Sequence, residues 1–482
     1  MRERLTVVFS SPYFVFIFFP LVLVLCTLCR GRAFLPSLIV TSVAFYFWSA
    51  GADTLILLGI IVGNHLGALA MVRAGPGITS QAIVVLLIGA DAIVLFVFKY
   101  ATFFATNVDA LTAARFHLHE SIGDIALPAG VSFFIFQAIS YVVDVRRGDI
   151  AAERSLTLYT AYQSFFPHLI AGPIVRFRDV VEDLRAPKRS TENFSLGLTR
   201  FSHGLFKKTV LADAVSPVAD AVFALQAGQL DFATAWLGAL AYAIQIYFDF
   251  SGYSDMAIGM AQMFGIRFHE NFARPYGSRS VTDFWRRWHM SLSSWFRDYI
   301  YIPLGGSRGG RLATYRNLLL VFAVTGLWHG AAWTFVLWGL FHGLFLILER
   351  ALFRAPAEDL KHPALRFFYV LPVVLFGWVL FRATSFASCT ALWSAMVNFT
   401  KTAPLAVVAE HANLSVYSCA ALVVGAAIFV VPSRLSLGAR LTLPPVGRGA
   451  VVGQFAYTVF VLLAASLVTL TGSYRPFLYF TF

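Results

Sequence analysis

The histidine at position 329 is the residue of this sequence best suited to chemistry. It lies in Val324-Thr-Gly-Leu-Trp-His-Gly-Ala-Ala-Trp333, within a run from Leu318 to Leu348 that contains no Asp, Glu, Lys or Arg. An ionisable side chain in an apolar stretch long enough to cross a bilayer indicates function by default. A neutral imidazole there is suited to act as a general base toward a hydroxyl group. The alternative is a core histidine that bonds a neighbouring carbonyl group.

Small residues around His329 predict close contact between helices. Gly326 and Gly330 are four residues apart, and Gly339 and Gly343 repeat this spacing. The spacing allows two helix backbones to approach closely. Trp333, four residues after His329, is predicted to share its helix face, whereas His342, 13 residues on, is predicted to lie on a different face and is not an obvious partner.

A second histidine, His289, lies in a segment with alternating aromatic and basic residues, Ser280 to Tyr299. Ser280 and Asp283 have the spacing of a helix capping box. The pattern predicts one amphipathic interfacial helix with Trp285 and Trp288 on its aromatic face. His289 falls at the edge of that face, where it could instead extend its ring to the headgroups.

Two carboxylates, Asp249 and Asp255, border the apolar segments before this region. A carboxylate at membrane depth is costly unless it is paired or faces a cavity. Either they cap helix ends at the interface, or they have a function. A proton-coupled transporter that uses them with the histidines as a relay is therefore one alternative, although no pair of related halves is visible.

The elements that must position these residues are membrane helices. The chain has 482 residues, of which 58% are hydrophobic and only 13% charged, whereas about 25% is usual for soluble domains. The apolar stretches predict an all-α polytopic membrane protein with roughly 10 to 12 crossings, some of them interrupted. The first helix, from Ser11 to Cys29, is expected to be retained, since no cleavage site follows it.

Basic residues predict the orientation. Residues 267–316 contain nine arginines against Glu270, Asp283 and Asp298. Basic loops stay on the cytoplasmic side, so the net charge of +12 reflects topology, and no nucleic-acid-binding motif is present. This stretch could attract the phosphates of a coenzyme A or phosphopantetheine carrier. No metal-ligand cluster is visible, and no metal is expected.

Several motifs together make the sequence similar to the membrane-bound O-acyltransferase family, and most similar to its branch with alginate O-acetyltransferase membrane subunits. Any one motif is only suggestive, but the cluster between positions 247 and 333 is specific, and similar termini extend the resemblance over essentially the whole chain. The motifs are Tyr247-Phe-Asp-Phe-Ser-Gly-Tyr-Ser-Asp-Met-Ala-Ile-Gly259, Asn271-Phe-Ala-Arg-Pro-Tyr276, Asp283-Phe-Trp-Arg-Arg-Trp-His-Met-Ser-Leu-Ser293, Arg297-Asp-Tyr-Ile-Tyr-Ile-Pro-Leu-Gly-Gly306, Gly326-Leu-Trp-His-Gly-Ala-Ala-Trp333, Phe9-Ser-Ser-Pro-Tyr-Phe and Pro476-Phe-Leu-Tyr-Phe-Thr-Phe482.

The resemblance implies one transmembrane domain over residues 1–482, with N-terminal helices (1–246), a catalytic core (247–350) and C-terminal helices (351–482). These helices, with re-entrant and interfacial helices, would surround a funnel. His329 would match the catalytic histidine and His289 a second histidine in the tunnel. We further assign to the tunnel or the donor-binding site Asp249, Trp285, Arg286, Trp288, Trp328, Trp333 and Asn317.

The implied reaction moves an acetyl group from a cytoplasmic thioester, acetyl-CoA or a phosphopantetheinyl carrier, across the membrane, with no bound cofactor. The acceptor would be an exopolysaccharide such as alginate, reached directly or through an extracytoplasmic partner protein. The expected location is the inner membrane. A D-alanyl exporter that uses a carrier-protein thioester is the alternative within the same family.

Overall fold

The protein is built from helices, as the sequence predicts. The computed structural model describes residues 9–112, 115–123, 125–353, 364–431, 443–471 and 475–478, and within these ranges no β-strand occurs. The last residues of the C-terminal motif, 479–482, lie outside the described part. Helices satisfy every backbone N–H and C=O group within one segment, which is why apolar sequences of this kind adopt them in lipid.

Two compact units make up the chain: Met1–Leu198 with Ala257–His269, and Thr199–Met256 with Glu270–Phe482. The prediction of one transmembrane domain with three parts, 1–246, 247–350 and 351–482, stays a prediction. The α-helices of the described residues are α1 Phe19–Leu28, α2 Phe34–Ala50, α3 Thr54–Arg73, α4 Ile78–Leu95, α5 Ala101–Leu111, α6 Leu118–Ile122, α7 Val131–Arg147, α8 Leu156–Ser164, α9 Phe166–Leu169, α10 Phe177–Arg185, α11 Thr191–Phe206, α12 Asp213–Phe223, α13 Phe232–Met263, α14 Val281–Arg287, α15 Met290–Phe296, α16 Gly310–His329, α17 Trp333–Leu352, α18 Leu371–Arg382, α19 Phe386–Val397, α20 Leu405–His411, α21 Val416–Val430 and α22 Arg448–Thr471.

Four helical stretches of the described residues have the length and apolar composition to cross a bilayer. They are Gly31–Arg73, Ile78–Leu111, Trp333–Leu352 and Arg448–Thr471. Shorter apolar helices cover Phe14–Leu28, Phe386–Val397 and Val416–Val430. The prediction of an all-α polytopic membrane protein is confirmed, while the count of 10 to 12 crossings stays a prediction.

The glycines of α16 and α17 hold these two helices in close contact, as their spacing predicts. A Cβ added at Gly326 would collide with the backbone carbonyl of Phe335, and one at Gly339 with that of Phe322. At Gly343 an added Cβ would lie 3.2 Å from the side chain of Phe322. The close approach fixes the hairpin formed by α16 and α17, in which His329 is the last residue of α16.

Gly339→Ala is therefore expected to destabilise the protein by about 1–3 kcal/mol, because the added methyl group meets backbone that cannot rotate away. Thermal unfolding of the detergent-solubilised protein measures the effect. Gly63→Ala is the matched control, since Gly63 lies in the apolar helix α3 and an added Cβ there meets nothing within 4 Å. Equal melting temperatures for the two variants would contradict the packing argument.

The structure corrects the interpretation of Asp249 and Asp255 as helix caps. Both lie inside α13, a helix of 32 residues from Phe232 to Met263. The helix therefore continues through both carboxylates and ends only at Met263. Both carboxylates are instead held by cations: Asp249 by the buried Lys208, and Asp255 by the partly buried Arg200 and Lys207.

The prediction of one amphipathic helix through residues 280–299 is wrong. The segment forms two short helices, α14 and α15, because His289 adopts a left-handed conformation with φ of 45°. Ser280 does cap α14, and its Oγ accepts the N–H of Asp283 at 2.9 Å. The break turns the two histidine-flanking helices in different directions, which a helical wheel cannot represent.

Candidate functional site

His329 is enclosed by aromatic rings at the end of α16. The following residue, Gly330, is extended, so the chain leaves the helix directly after the imidazole. The His329 ring centroid lies 4.9 Å from that of Trp328, 5.1 Å from Trp338 and 5.2 Å from Phe381, each in an edge-to-face arrangement. The side chain is buried, and only 6% of the residue is exposed.

A small cavity of about 10 Å³, room for about one water molecule, lies against His329. It contains a single carboxylate among mostly apolar walls, and its lining residues are Ile246, Asp249, Phe250, Trp288, His329, Trp338, Trp378, Phe381 and Leu478. Asp249, Phe381 and Leu478 also line a larger vestibule of about 470 Å³. The vestibule and the cavity at His329 are therefore neighbours that share part of one wall.

His289 is held by a network of polar side chains. Its Nδ1 lies 3.2 Å from Asn271 Oδ1, and Asn271 Nδ2 donates to Ser254 Oγ at 3.0 Å. The oxygen of Asn271 therefore faces His289 and accepts the Nδ1–H, which leaves the lone pair on Nε2. The left-handed backbone of His289 costs free energy in a residue other than glycine, and such strain concentrates at functional sites.

The two candidate histidines belong to one aromatic cluster. The Trp328 ring is 6.2 Å from His289 and 4.9 Å from His329. Phe250 packs edge-to-face on His289 at 4.6 Å and also lines the cavity at His329. The structure thus brings together residues that are 40 positions apart in the sequence, as the resemblance implies.

Asp249 is buried in an ion-paired cluster beside the cavity. Its Oδ1 accepts Lys208 Nζ at 2.6 Å, and its Oδ2 accepts the backbone N–H of Leu478 at 3.0 Å. Lys208 also donates to Asp213 Oδ1 at 2.8 Å and to the carbonyl of Pro476 at 3.3 Å. The carboxylate therefore anchors the chain segment that closes one wall of the cavity.

The four tryptophans that we assigned to the tunnel have different positions. Trp288 lines the cavity and packs against Trp378 at 4.8 Å. Trp328 lies between the histidines. Trp285 is buried behind the cavity wall, where it contacts Trp338 at 5.5 Å and His342 at 5.0 Å.

Trp333 does not share a helix face with His329. The chain turns between the two residues, so Trp333 begins α17, where it is 60% exposed. The expectation from i, i+4 spacing is wrong because α16 ends at His329.

The other assigned residues, Asn317 and Arg286, lie away from the cavity lining. Asn317 is buried, and its Nδ2 donates to the carbonyls of Leu304 and Gly306 at 3.1 and 3.0 Å, so it holds the turn before α16. Arg286 is exposed on α14. Their tunnel or donor-binding role stays a prediction.

Several residues of the site were not selected from the sequence. Of these residues, Lys208 carries the clearest signal in the sequence, because a lysine inside an apolar helical stretch indicates a buried partner. Asn271 lay within a quoted motif but carried no spacing signal. The aromatic walls Trp338, Trp378 and Phe381, and Leu478 near the C-terminus, resemble ordinary core residues in a sequence this rich in apolar side chains.

Comparison with known proteins gives consistent results. The profile of MBOAT, the membrane-bound O-acyltransferase family, matches residues 150–393. The chain is 44% identical over 393 residues to a probable alginate O-acetylase AlgI of Azotobacter vinelandii, covering 81% of this chain and 78% of that protein. It is 36% identical to a peptidoglycan O-acetyltransferase of Helicobacter pylori, covering 81% and 80%. It is 30% identical to a teichoic acid D-alanyltransferase of Streptococcus thermophilus, but this match covers only 47% of this chain and 57% of that protein.

Proposed function

This multi-pass chain belongs to the membrane-bound O-acyltransferase family, and from this premise we propose that it supplies acetyl groups for O-acetylation of an exopolysaccharide such as alginate. The donor is a cytoplasmic thioester, acetyl-CoA or a carrier-bound acyl group, and the acceptor is a sugar hydroxyl or the nucleophile of an extracytoplasmic partner. The similarity to the alginate O-acetylase of Azotobacter vinelandii over most of both chains supports this choice of product. The D-alanyl transferase is less similar and matches over a smaller share of both chains.

The observation that carries the proposal is the cavity at the buried imidazole of His329, which shares the lining residues Asp249, Phe381 and Leu478 with the vestibule. We assign His329 as the base that takes the proton of the acceptor hydroxyl. The oxygen then attacks the thioester carbonyl carbon, the C–S bond breaks, and the leaving thiolate receives the proton. The C-terminal end of α16 favours the transient positive charge on the imidazole, since helix carbonyls point toward it.

The orientation follows from the ends of α16. Exposed arginines lie just before α16 and in its first turns, whereas His329 is its last residue. A helix of 20 residues is about 30 Å long, so the start of α16 and the imidazole at its end are separated by about the thickness of a bilayer core. With the basic end in the cytoplasm, the vestibule opens on the extracytoplasmic side and the donor arrives from the other. The exposed arginines are Arg279, Arg286, Arg308, Arg311 and Arg316.

Mass spectrometry of the cell-surface polysaccharide tests this function. A deletion strain should lack O-acetyl groups that the wild-type strain carries, and the expressed chain should restore them. Polysaccharide with unchanged acetylation in the deletion strain would exclude the proposed function. The transporter alternative predicts a different result, which is substrate flux into vesicles that contain the purified chain without any acyl transfer.

Asn271→Ala is expected to lower acyl transfer by roughly tenfold or more. The substitution removes the nearer acceptor of the buried Nδ1–H of His289 and leaves the longer contact with Ser291 Oγ at 3.4 Å; weakening a buried hydrogen bond costs about 1 kcal/mol or more. The imidazole then loses its preferred tautomer and position. Acetyl content per sugar, measured at matched protein abundance, reports the effect.

Ser254→Ala is the control, because it removes a bond to Asn271 but retains the acceptor oxygen, and we expect a smaller loss. If Asn271 acts through His289, the double variant Asn271→Ala, His289→Gln should lose no more activity than His289→Gln alone. Losses that multiply would show that Asn271 acts independently.

A further inference from the structure

The vestibule carries two arginines at its more exposed part, beside the residues that it shares with the cavity. Arg382 Nη2 donates to Asp220 Oδ1 at 2.9 Å, and Arg475 Nη1 donates to Asp220 Oδ2 at 2.9 Å and to Ser216 Oγ at 2.5 Å. Each guanidinium has five N–H donors, so these three hydrogen bonds use few of them. Two cations share one carboxylate, which leaves this cluster with a net charge of +1.

Both arginines are connected closely to the candidate base. Arg382 directly follows Phe381, whose ring lies 5.2 Å from that of His329. Arg475 is three residues before Leu478, which lines both the cavity and the vestibule. A ligand group held by the arginines would therefore lie near Phe381 and Leu478, which line both the vestibule and the cavity at His329.

The deeper part of the vestibule has the opposite charge. Lys208 is shared by Asp213 and Asp249, which gives a net charge of −1. The side chains of Lys208 and Asp249 are 2% and 5% exposed and that of Asp213 is 21% exposed, against 25% for Arg382 and 37% for Arg475. A carboxylate would be repelled from the depth and held farther out.

Unsatisfied polar atoms in the vestibule wall point to a polar ligand. Gln245 Oε1 and Arg382 Nε are buried and have no hydrogen-bond partner among the described residues. Buried polar groups are normally paired, and the whole Gln245 residue is only 7% exposed. One acceptor and one donor are thus available in the wall of the vestibule.

We propose that Arg382, Arg475 and Gln245 form a subsite that binds an acidic sugar, a uronate residue, with its carboxylate on the arginines and a hydroxyl group donating to Gln245 Oε1. This inference rests on the proposed function and names the chemical class of its acceptor. The charge distribution orients the sugar so that the carboxylate stays outward while a hydroxyl group reaches His329.

The rest of the vestibule lining suits a sugar better than an acidic peptide. Hydroxyl groups of Ser216, Thr334 and Thr384 can pair with ring hydroxyls, and the rings of Phe335 and Phe381 offer flat apolar surfaces. Ligand sites typically combine such aromatic walls with a few placed polar groups.

Binding of a labelled alginate hexasaccharide to the purified full-length chain in nanodiscs tests the subsite without requiring catalysis. The double variant Arg382→Gln, Arg475→Gln should weaken affinity about tenfold or more, because it removes charge-assisted hydrogen bonds. Affinity for a neutral hexasaccharide of glucose should not change. Affinity for the alginate hexasaccharide should fall with added salt.

The Asp220→Asn variant shows whether Arg382 and Arg475 bind the sugar carboxylate or only stabilise the fold through their contacts with Asp220. It removes the negative charge and leaves two arginines for the ligand, so the alginate hexasaccharide should bind several-fold more tightly. A purely structural bridge would predict weaker binding in both variants, since each breaks the same Arg–Asp contacts. Melting temperatures of both variants confirm that the comparison is between folded proteins.

Three results would overturn the subsite: no binding of the alginate hexasaccharide, unchanged affinity in the double arginine variant, or weaker binding in Asp220→Asn. Binding of hexaglutamate in place of the oligosaccharide would also overturn it, in favour of an acidic protein segment. Such failures leave the proposed acyl transfer intact if acetylation persists in cells. Conversely, the affinities could follow the predicted pattern while the complemented strain lacks O-acetyl groups. That result would reject the proposed function but not the subsite.

Discussion

Replacement of His329 by glutamine is expected to reduce acyl transfer by about 10²–10⁴-fold, the usual contribution of a general base. Glutamine approximates the size of the imidazole and can hydrogen-bond, but it cannot accept the proton of the acceptor hydroxyl. Because the rings of Trp328, Trp338 and Phe381 that pack around position 329 remain, membrane insertion and abundance should be preserved. The measurement is polysaccharide acetyl content, normalised to the amount of protein in the membrane.

His342→Gln is the matched control. His342 is a buried histidine on α17 that contacts Trp338 at 5.2 Å, as His329 does at 5.1 Å, yet it does not line the cavity. We expect His342→Gln to retain most of the activity. Normal acetylation by a well-expressed His329→Gln variant would remove this residue from the mechanism.

Lys208→Met is expected to destabilise the protein by about 3–5 kcal/mol, the usual cost of removing one partner of a buried ion pair. Among the described residues Lys208 is the cation that pairs with Asp249, and methionine leaves that carboxylate uncompensated. The backbone N–H of Leu478 then remains as one of few groups that stabilise the charge. Thermal unfolding in detergent, with and without the substitution, measures the loss.

The neighbouring lysine provides the comparison. Lys207→Met also removes a cation from a buried carboxylate, but Asp255 keeps Arg200 at 2.9 Å, so the loss should be smaller. The double variant Lys208→Met, Asp249→Leu should recover part of the stability, because the more deeply buried of the two carboxylates paired with Lys208 is removed and only Asp213 loses its lysine. It should not recover activity, since Leu478 loses its anchor beside the cavity. Equal destabilisation by the two lysine variants would contradict this account.

The sequence determined the class of the protein, its best candidate base and the contact between α16 and α17. These properties depend on composition and local spacing: few charges over a long chain require lipid, and glycines four residues apart on α16 and α17 permit backbone contact. His329 could be selected because an ionisable group in an apolar run is rare and costly. The motif cluster between positions 247 and 333 added the family and the second histidine.

Tertiary structure alone decided how these residues meet. Lys208 and Leu478 reach Asp249 from 41 and 229 positions away, and no local pattern specifies pairing over such distances. The helical-wheel prediction for residues 280–299 was wrong because a helical wheel assumes a continuous helix. The left-handed conformation of His289 interrupts the helix, and hydrogen bonds to Asn271 stabilise this break. The end of α16 at His329 likewise separated Trp333 from the site. Local periodicity constrains faces of single helices, but cavities and ion pairs form between segments distant in the chain, and only the folded structure places them together.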